Sequence, residues 1–143
     1  MKIYFSGSIS GGREHAAIYQ RLVAYLQASG HAVLSAHVAD PEVLEREKDT
    51  PPRIVFERDV AWVHQCDVMI AEVSTPSLGV GYEYGLAVQL GKPVLCMYRS
   101  GLRMSKMITG NPAPNLTVAT YSTEAELERI TLAFLESLTT AQV

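Results

Sequence analysis

The sequence holds little of what marks a secreted, membrane-bound, metal-dependent or nucleic-acid-coating protein. Only two cysteines, Cys66 and Cys96, occur in 143 residues. That is too few for a disulfide framework, and their positions at a helix end and in a strand fit small buried thiols. Four histidines, at positions 15, 31, 37 and 64, show no ligand spacing, so no metal is expected. Basic residues number 12 against 15 acidic ones, for a net charge of −3. This balance argues against binding along the backbone of polymeric nucleic acid, and any phosphate recognition has to be local. No apolar run approaches the ~20 residues of a membrane span. Only Ile3, Tyr4 and Phe5 separate Lys2 from Ser6 and Gly7, which leaves no core for a signal peptide. The expected location is the cytoplasm, away from membranes.

What the chain does have is a regular alternation of short β-type runs and helical patterns. Strands are expected at 2–6, 32–35, 68–72, 93–98 and 116–120, and helices at 13–28, 52–66, 76–90 and 124–138, with a loop or short helix before 110. Such alternation implies an α/β fold: a doubly wound, Rossmann- or flavodoxin-like parallel sheet of five strands in the order 2-1-3-4-5, with helices on both faces. At this length one domain is expected, over 1–138, with 139–143 as a flexible tail. Residues 39–51 crowd acidic, basic and proline positions together and read as a mobile flap. In this architecture a site falls at the carboxyl ends of the strands.

Three segments carry chemistry. In the run Pro76 to Leu90, Glu83 is a lone carboxylate in an otherwise uncharged helix. A helix apolar nearly all round belongs in the interior, so Glu83 is expected in a cleft, ionised by the helix N-terminus and available as a nucleophile, or else serving only the helix dipole. In the helix 52–66, at about 100° per residue, Asp59 projects between the stripe Phe56, Val60, Val63 and the stripe Val55, Trp62, Cys66. Arg53, Glu57, Arg58, His64 and Gln65 fall on the opposite, solvated arc. An Asp on an apolar face marks either a site or a local cap or ion pair. The third segment, Gly7-Ser8-Ile9-Ser10-Gly11-Gly12, follows the first strand. Its amides and hydroxyls suit an anion at a helix N-terminus, although glycine turns also serve geometry alone.

Taken together, Tyr-Phe-Ser-Gly-Ser-Ile-Ser-Gly-Gly-Arg-Glu at 4–14, Glu-Arg-Asp at 57–59 and Ala-Glu-Val-Ser-Thr-Pro-Ser-Leu-Gly-Val-Gly-Tyr-Glu-Tyr-Gly at 71–85 resemble 2′-deoxynucleoside 5′-phosphate N-hydrolases. These belong to the nucleoside 2-deoxyribosyltransferase superfamily, and the resemblance runs from about Lys2 to Leu138. It implies a cofactor-free homodimer acting on a small nucleotide, with Glu83 as nucleophile, Asp59 as its acid–base partner and Tyr4 beside the sugar. It further implies that Gly7, Ser8, Ile9, Ser10, Gly11, Gly12, Ser77 and Gly79 hold the 5′-phosphate, with Ser105 supplied by a second subunit and Met107 against the base or sugar. Ser10 stands where close hydrolase relatives carry arginine, which implies either a weaker phosphate affinity or a cation from Arg13, Arg103 or Lys106.

The chemistry this implies is N-glycosidic cleavage through an oxocarbenium-like transition state. Glu83 would be held ionised, while desolvation and the neighbouring charge would keep Asp59 protonated. Water then gives a hydrolase of deoxynucleoside 5′-monophosphates. A second base as acceptor gives a deoxyribosyltransferase, a ribonucleotide substrate such as a modified CMP gives a different N-glycosidase, and a site without turnover gives a nucleotide sensor.

Overall fold

Period-2 alternation along the strands sorts the side chains onto two faces and thereby sets the layers. In the computed structural model, which describes residues 1–140, β1 (Lys2–Ser6), β2 (Ala32–Val33), β3 (Val68–Glu72), β4 (Val94–Arg99) and β5 (Leu116–Tyr121) form one sheet. Every neighbouring pair is parallel and the order is β2-β1-β3-β4-β5, as the sequence pattern predicts. Ile3 and Phe5 point to one face, where they meet Ile18, Leu22 and Leu26 of α1 (Ala16–Ala28) and Leu127 and Leu135 of α6 (Glu124–Thr140). Tyr4 points to the other and packs with Val63 of α3 (Pro52–Gln65) and with Val80, Tyr84 and Ala87 of α4 (Leu78–Gln89). Each of these large side chains contributes about 1.5–3 kcal/mol on leaving water. Two shorter helices, α2 (Val43–Glu47) and α5 (Lys106–Thr109), lie in the connections. None of the described helices is long and apolar enough to cross a membrane.

The structure differs from the sequence expectations at several ends, each time because a side chain competes with the regular backbone pattern. Helix α1 starts at Ala16 rather than at 13, since the Arg13 guanidinium donates to the carbonyls of Ser8 (3.1 Å), Val38 (2.8 Å) and Asp40 (3.0 Å) and holds the preceding turn. Strand β2 stops at Val33, and Ser35 takes over the ladder through its side chain, accepting from Phe5 N (2.8 Å) and donating to Phe5 O (2.6 Å). The expected flap over 39–51 is folded: a 3-10 turn, Ala36–Ala39, leads into α2, with Val38 and Val43 buried. Its acidic residues find cations instead of water, in Arg46–Asp40 (2.7 Å) and Arg58–Glu47 (2.7 Å). On α3 only Val63 is buried. Phe56 stays 52% exposed and leans on Tyr82 of α4 at 5.8 Å between ring centroids. Of the expected tail, Thr139 and Thr140 complete α6 by donating to the Glu136 carbonyl, and 141–143 lie outside the described residues.

One glycine at the head of the site is required by packing. A Cβ on Gly7 would come within 2.9 Å of the Tyr19 ring. That ring is fully buried, edge-on to Phe5 at 5.6 Å, and its hydroxyl accepts from Ser8 N at 3.1 Å, so it has nowhere to go. Gly7→Ala is therefore expected to lower stability by about 1–3 kcal/mol through overpacking, seen as a reduced urea midpoint at unchanged slope.

Candidate active site

The carboxyl ends of β1 and β3, the middle strands, feed the two loops that open the site, and α3 and α4 bring one carboxylate each. Asp59 and Glu83 line a single cavity of about 500 Å³, walled by Ile9, Leu44, Val55, Phe56 and Tyr82. Sequence reasoning placed both residues in one cleft, and the structure brings them together there.

Glu83 does not sit in the first turn of its helix. Ser77 is the N-cap, accepting from Val80 N at 3.3 Å, so α4 begins at Leu78 with no acidic residue in its first turn and Glu83 falls in the second. There the macrodipole is weak, and burial dominates. Loss of hydration pushes the Glu83 carboxyl up to about 7, the nearby Asp59 charge adds to this, and a hydrogen bond from Ser6 Oγ to Oε2 at 2.5 Å opposes it. The helix terminus does not keep this group fully ionised, contrary to the sequence expectation.

Asp59 has what Glu83 lacks. Arg58 does not lie on a solvated arc. Its Nε donates to Asp59 Oδ1 at 2.8 Å, its Nη2 reaches Glu47 at 2.7 Å, and its guanidinium lies 5.0 Å from the Trp62 ring centroid. Asp59 is thus ion-paired, not an isolated carboxyl on an apolar stripe. Helical periodicity sets Arg58 on the arc opposite Asp59, and it carries no signal for a long side chain that reaches round to its neighbour and to α2. His37 joins the cluster, 3.1 Å from Arg58 and 3.4 Å from Glu47, and burial followed by the Arg58 charge keeps it below its ordinary pKa. Ser6 and Arg58 are the functional neighbours that sequence reasoning missed. Ser6 was legible, because in a strand it shares the face of Tyr4 two residues earlier. Tyr4 itself is 1% exposed and lies against Glu83 from behind, its hydroxyl pushed well above its ordinary value by burial and then by the Glu83 charge. It supports the carboxylate and does not line the cavity.

The expected phosphate residues divide between two places. Gly79 borders the first cavity, and Ser10 borders both it and a second cavity of about 760 Å³ on the other side of the α4 N-terminus. Gly11, Ser77, Ser105 and Met107 line the second. The two loops press together there, so that a Cβ on Gly11 would stand 2.5 Å from the Pro76 carbonyl and 2.9 Å from Ser8 Oγ. Ser8 is fully buried and its hydroxyl has no partner. Gly7 is committed to Tyr19, and Gly12 has φ +135 with the Glu14 carboxylate beside it. Arg13 is consumed by its three carbonyls and is not free for an anion.

A family model described as nucleoside 2-deoxyribosyltransferase matches residues 3–127. A Mus musculus protein named 5-hydroxymethyl-dUMP N-hydrolase is 52% identical over 112 residues, covering 76% of this chain and 64% of that protein, so the match spans just under two thirds of its length. A Danio rerio protein of the same name is 43% identical over 142 residues, covering 97% and 99% of the two chains. Among solved structures, a Clostridium botulinum CMP N-glycosidase superposes with a TM-score of 0.69 at 20% identity, over 92% of this chain and 98% of that one, which is a likeness of fold.

Glu83 also sets a pH dependence of stability, and its sign follows from the raised value. The folded chain binds this proton more tightly than the unfolded chain, where the ordinary value is 4.5. The carboxyl is therefore neutral and tolerated at low pH, and it costs stability as pH rises through about 7. Glu83→Gln is expected to match the parent near pH ~4 and to exceed it above pH ~8 by up to about 3 kcal/mol, at ~1.4 kcal/mol per pH unit. Urea unfolding at the two pH values measures this.

Proposed function

This chain belongs to the nucleoside 2-deoxyribosyltransferase family, and from that premise we propose that it hydrolyses the N-glycosidic bond of 2′-deoxynucleoside 5′-monophosphates, giving a free nucleobase and 2-deoxyribose 5-phosphate. The observation that carries this reading is the pairing of Asp59 and Glu83 in one cavity, beside serine- and glycine-lined loops suited to a phosphate. The names of the mouse and zebrafish relatives point to the same reaction and substrate class.

In the reaction, the ionised Glu83 attacks the anomeric carbon as the bond to the base breaks, and the base leaves with the bonding electron pair and gains a proton. Water then attacks the same carbon, loses a proton and releases Glu83. Asp59 handles these protons. Its Oδ1 is held by Arg58, and Oδ2, which has no hydrogen-bond partner among the described residues, turns to the task. Ser6 and Tyr4 hold the Glu83 carboxylate in line. Remote binding of the phosphate orients the reacting carbon.

The active form is proposed to be a homodimer. Ser105 and Glu83 of one chain line different cavities, and Leu78 and Met107, 97% and 81% exposed, present an apolar surface beside the α4 N-terminus. A second copy covering that surface would bring its Ser105 to this chain's phosphate loop.

Turnover of a nucleotide panel varying base, sugar and phosphate is the deciding experiment, with deoxynucleoside monophosphates expected above ribonucleotides and above unphosphorylated deoxynucleosides in kcat/KM. Glycosylated product appearing only with an acceptor base would make the protein a transferase instead. Glu83→Gln is expected to lower kcat by about a thousandfold or more without unfolding, and Asp59→Asn by roughly a hundredfold, more steeply for poor leaving bases. Because Glu83 must lose its proton to act, kcat/KM should rise with pH through about 7. A flat profile there would remove Glu83 as the nucleophile. Mixing Glu83→Gln with Ser105→Ala subunits under demonstrated exchange should restore partial activity, and no recovery would place Ser105 in its own subunit's site.

A further inference from the structure

We propose that Arg103 is the cation that recognises the 5′-phosphate, and so the residue that makes the enzyme choose phosphorylated substrates. The inference rests on the reading of the ligand as a nucleoside monophosphate and deepens it. A phosphate dianion can be held by amides and hydroxyls, but charge-assisted bonds from a guanidinium are about twice as strong as neutral ones and add geometric selectivity.

The arginines and lysines around the site narrow to one. Arg13 is occupied by three carbonyls. Arg58 is held between Asp59 and Glu47. Lys48, on the wall of the first cavity, is paired with Glu45, and Lys92 is taken up by the carbonyls of His64 and Cys66. Arg99 leans over the Tyr121 ring at 5.8 Å. Lys106 lines neither cavity. Arg103 lines the second cavity together with Ser10, Gly11, Ser77 and Ser105, is exposed, and makes no ion pair or hydrogen bond among the described residues.

The cavity is suited to an anion in a way the first is not. Glu47, Asp59 and Glu83 all line the first, whereas no carboxylate lines the second. The 12-residue helix α4 begins in its wall with no acidic residue in the first turn, which leaves the positive end of the helix uncompensated. The fully buried Ser8 hydroxyl, without a partner, lies against Gly11 at the same edge. The carboxyls of Glu14 and Glu72 stand behind this wall, accepting from the Thr75 and Ser74 hydroxyls that line it. Ser10 borders both cavities, so a sugar at Glu83 places its 5′ substituent at this boundary. Arg103 stands two residues from Ser105, so in the homodimer proposed above the copy that brings its Ser105 to this boundary brings its Arg103 with it.

The test is Arg103→Ala, alone and combined with Ser10→Arg, which puts a guanidinium on the residue the two cavities share. Arg103→Ala is expected to raise KM for a deoxynucleoside monophosphate about tenfold or more with a much smaller change in kcat. The ratio of its kcat/KM to that for the unphosphorylated deoxynucleoside should fall by the same factor. Inorganic phosphate, used as an inhibitor and as a calorimetric ligand, should lose affinity in step. Ser10→Arg in the Arg103→Ala background should recover at least part of the discrimination, and Arg103→Lys should keep more of it than Ala does. An Arg103→Ala enzyme with parental phosphate discrimination and parental phosphate affinity overturns the proposal. A parent enzyme that cleaves no nucleoside monophosphate overturns the reading of the substrate instead, and the phosphate-binding measurement still decides the role of Arg103.

Discussion

Everything in the site turns on a carboxyl group taken out of water without a cation of its own. Glu83 has only the Ser6 hydroxyl and the flank of Tyr4 for company, and its ionisation is moved to about 7 as a result. A carboxyl so placed is poorly hydrated and already positioned, and its proton leaves near neutrality. The cost is borne by the sheet beneath. Tyr4 and Ser6 are fixed to one face of β1 by the alternation that sends Ile3 and Phe5 into the opposite core. Neither can turn away without dislodging a fully buried strand.

The guanidinium of that neighbourhood is given to the other carboxylate. Arg58 joins Asp59 to Glu47 of α2, so the segment that reads as a floppy acidic stretch is in fact the far wall of the cavity, anchored through the same guanidinium. The two carboxyl groups are thus made unlike by their surroundings. One is dry and lacks a cation of its own, and the other is held by an arginine. Separation of charge continues across the N-terminus of α4, with acidic groups on one side and an uncompensated helix end, serines and Arg103 on the other.

Beneath the two loops lies a second buried carboxyl, Glu72, at the end of β3. It accepts hydrogen bonds from Ser74 and from the Tyr121 hydroxyl (3.0 Å), while its other oxygen has no partner, and burial pushes it above its ordinary value. Ser74 Oγ in turn accepts from Arg99 N at 2.9 Å, and His15 and Glu14 both reach Thr75. Through these contacts the loop after β3 is tied to β4, β5 and the start of α1. The loops that open the two cavities therefore rest on a hydrogen-bonded polar layer.

The sheet and its order were legible from the sequence, because strand alternation and the crossover pattern survive in a string of letters, whereas the partnership of Asp59 with Glu83 rested on the resemblance of three segments to a known family. The parallel order then placed the site at the carboxyl ends of the strands. What only the tertiary structure decided was the electrostatics: which carboxyl receives Arg58, how Arg13 is spent on three carbonyls, and that Tyr4 backs Glu83 and does not line the cavity. Several of those outcomes depend on long flexible side chains finding partners on segments 11 to 27 residues away in sequence. The pattern of a single segment carries no information about where such a partner will stand, since it is the packing of the sheet that brings it there.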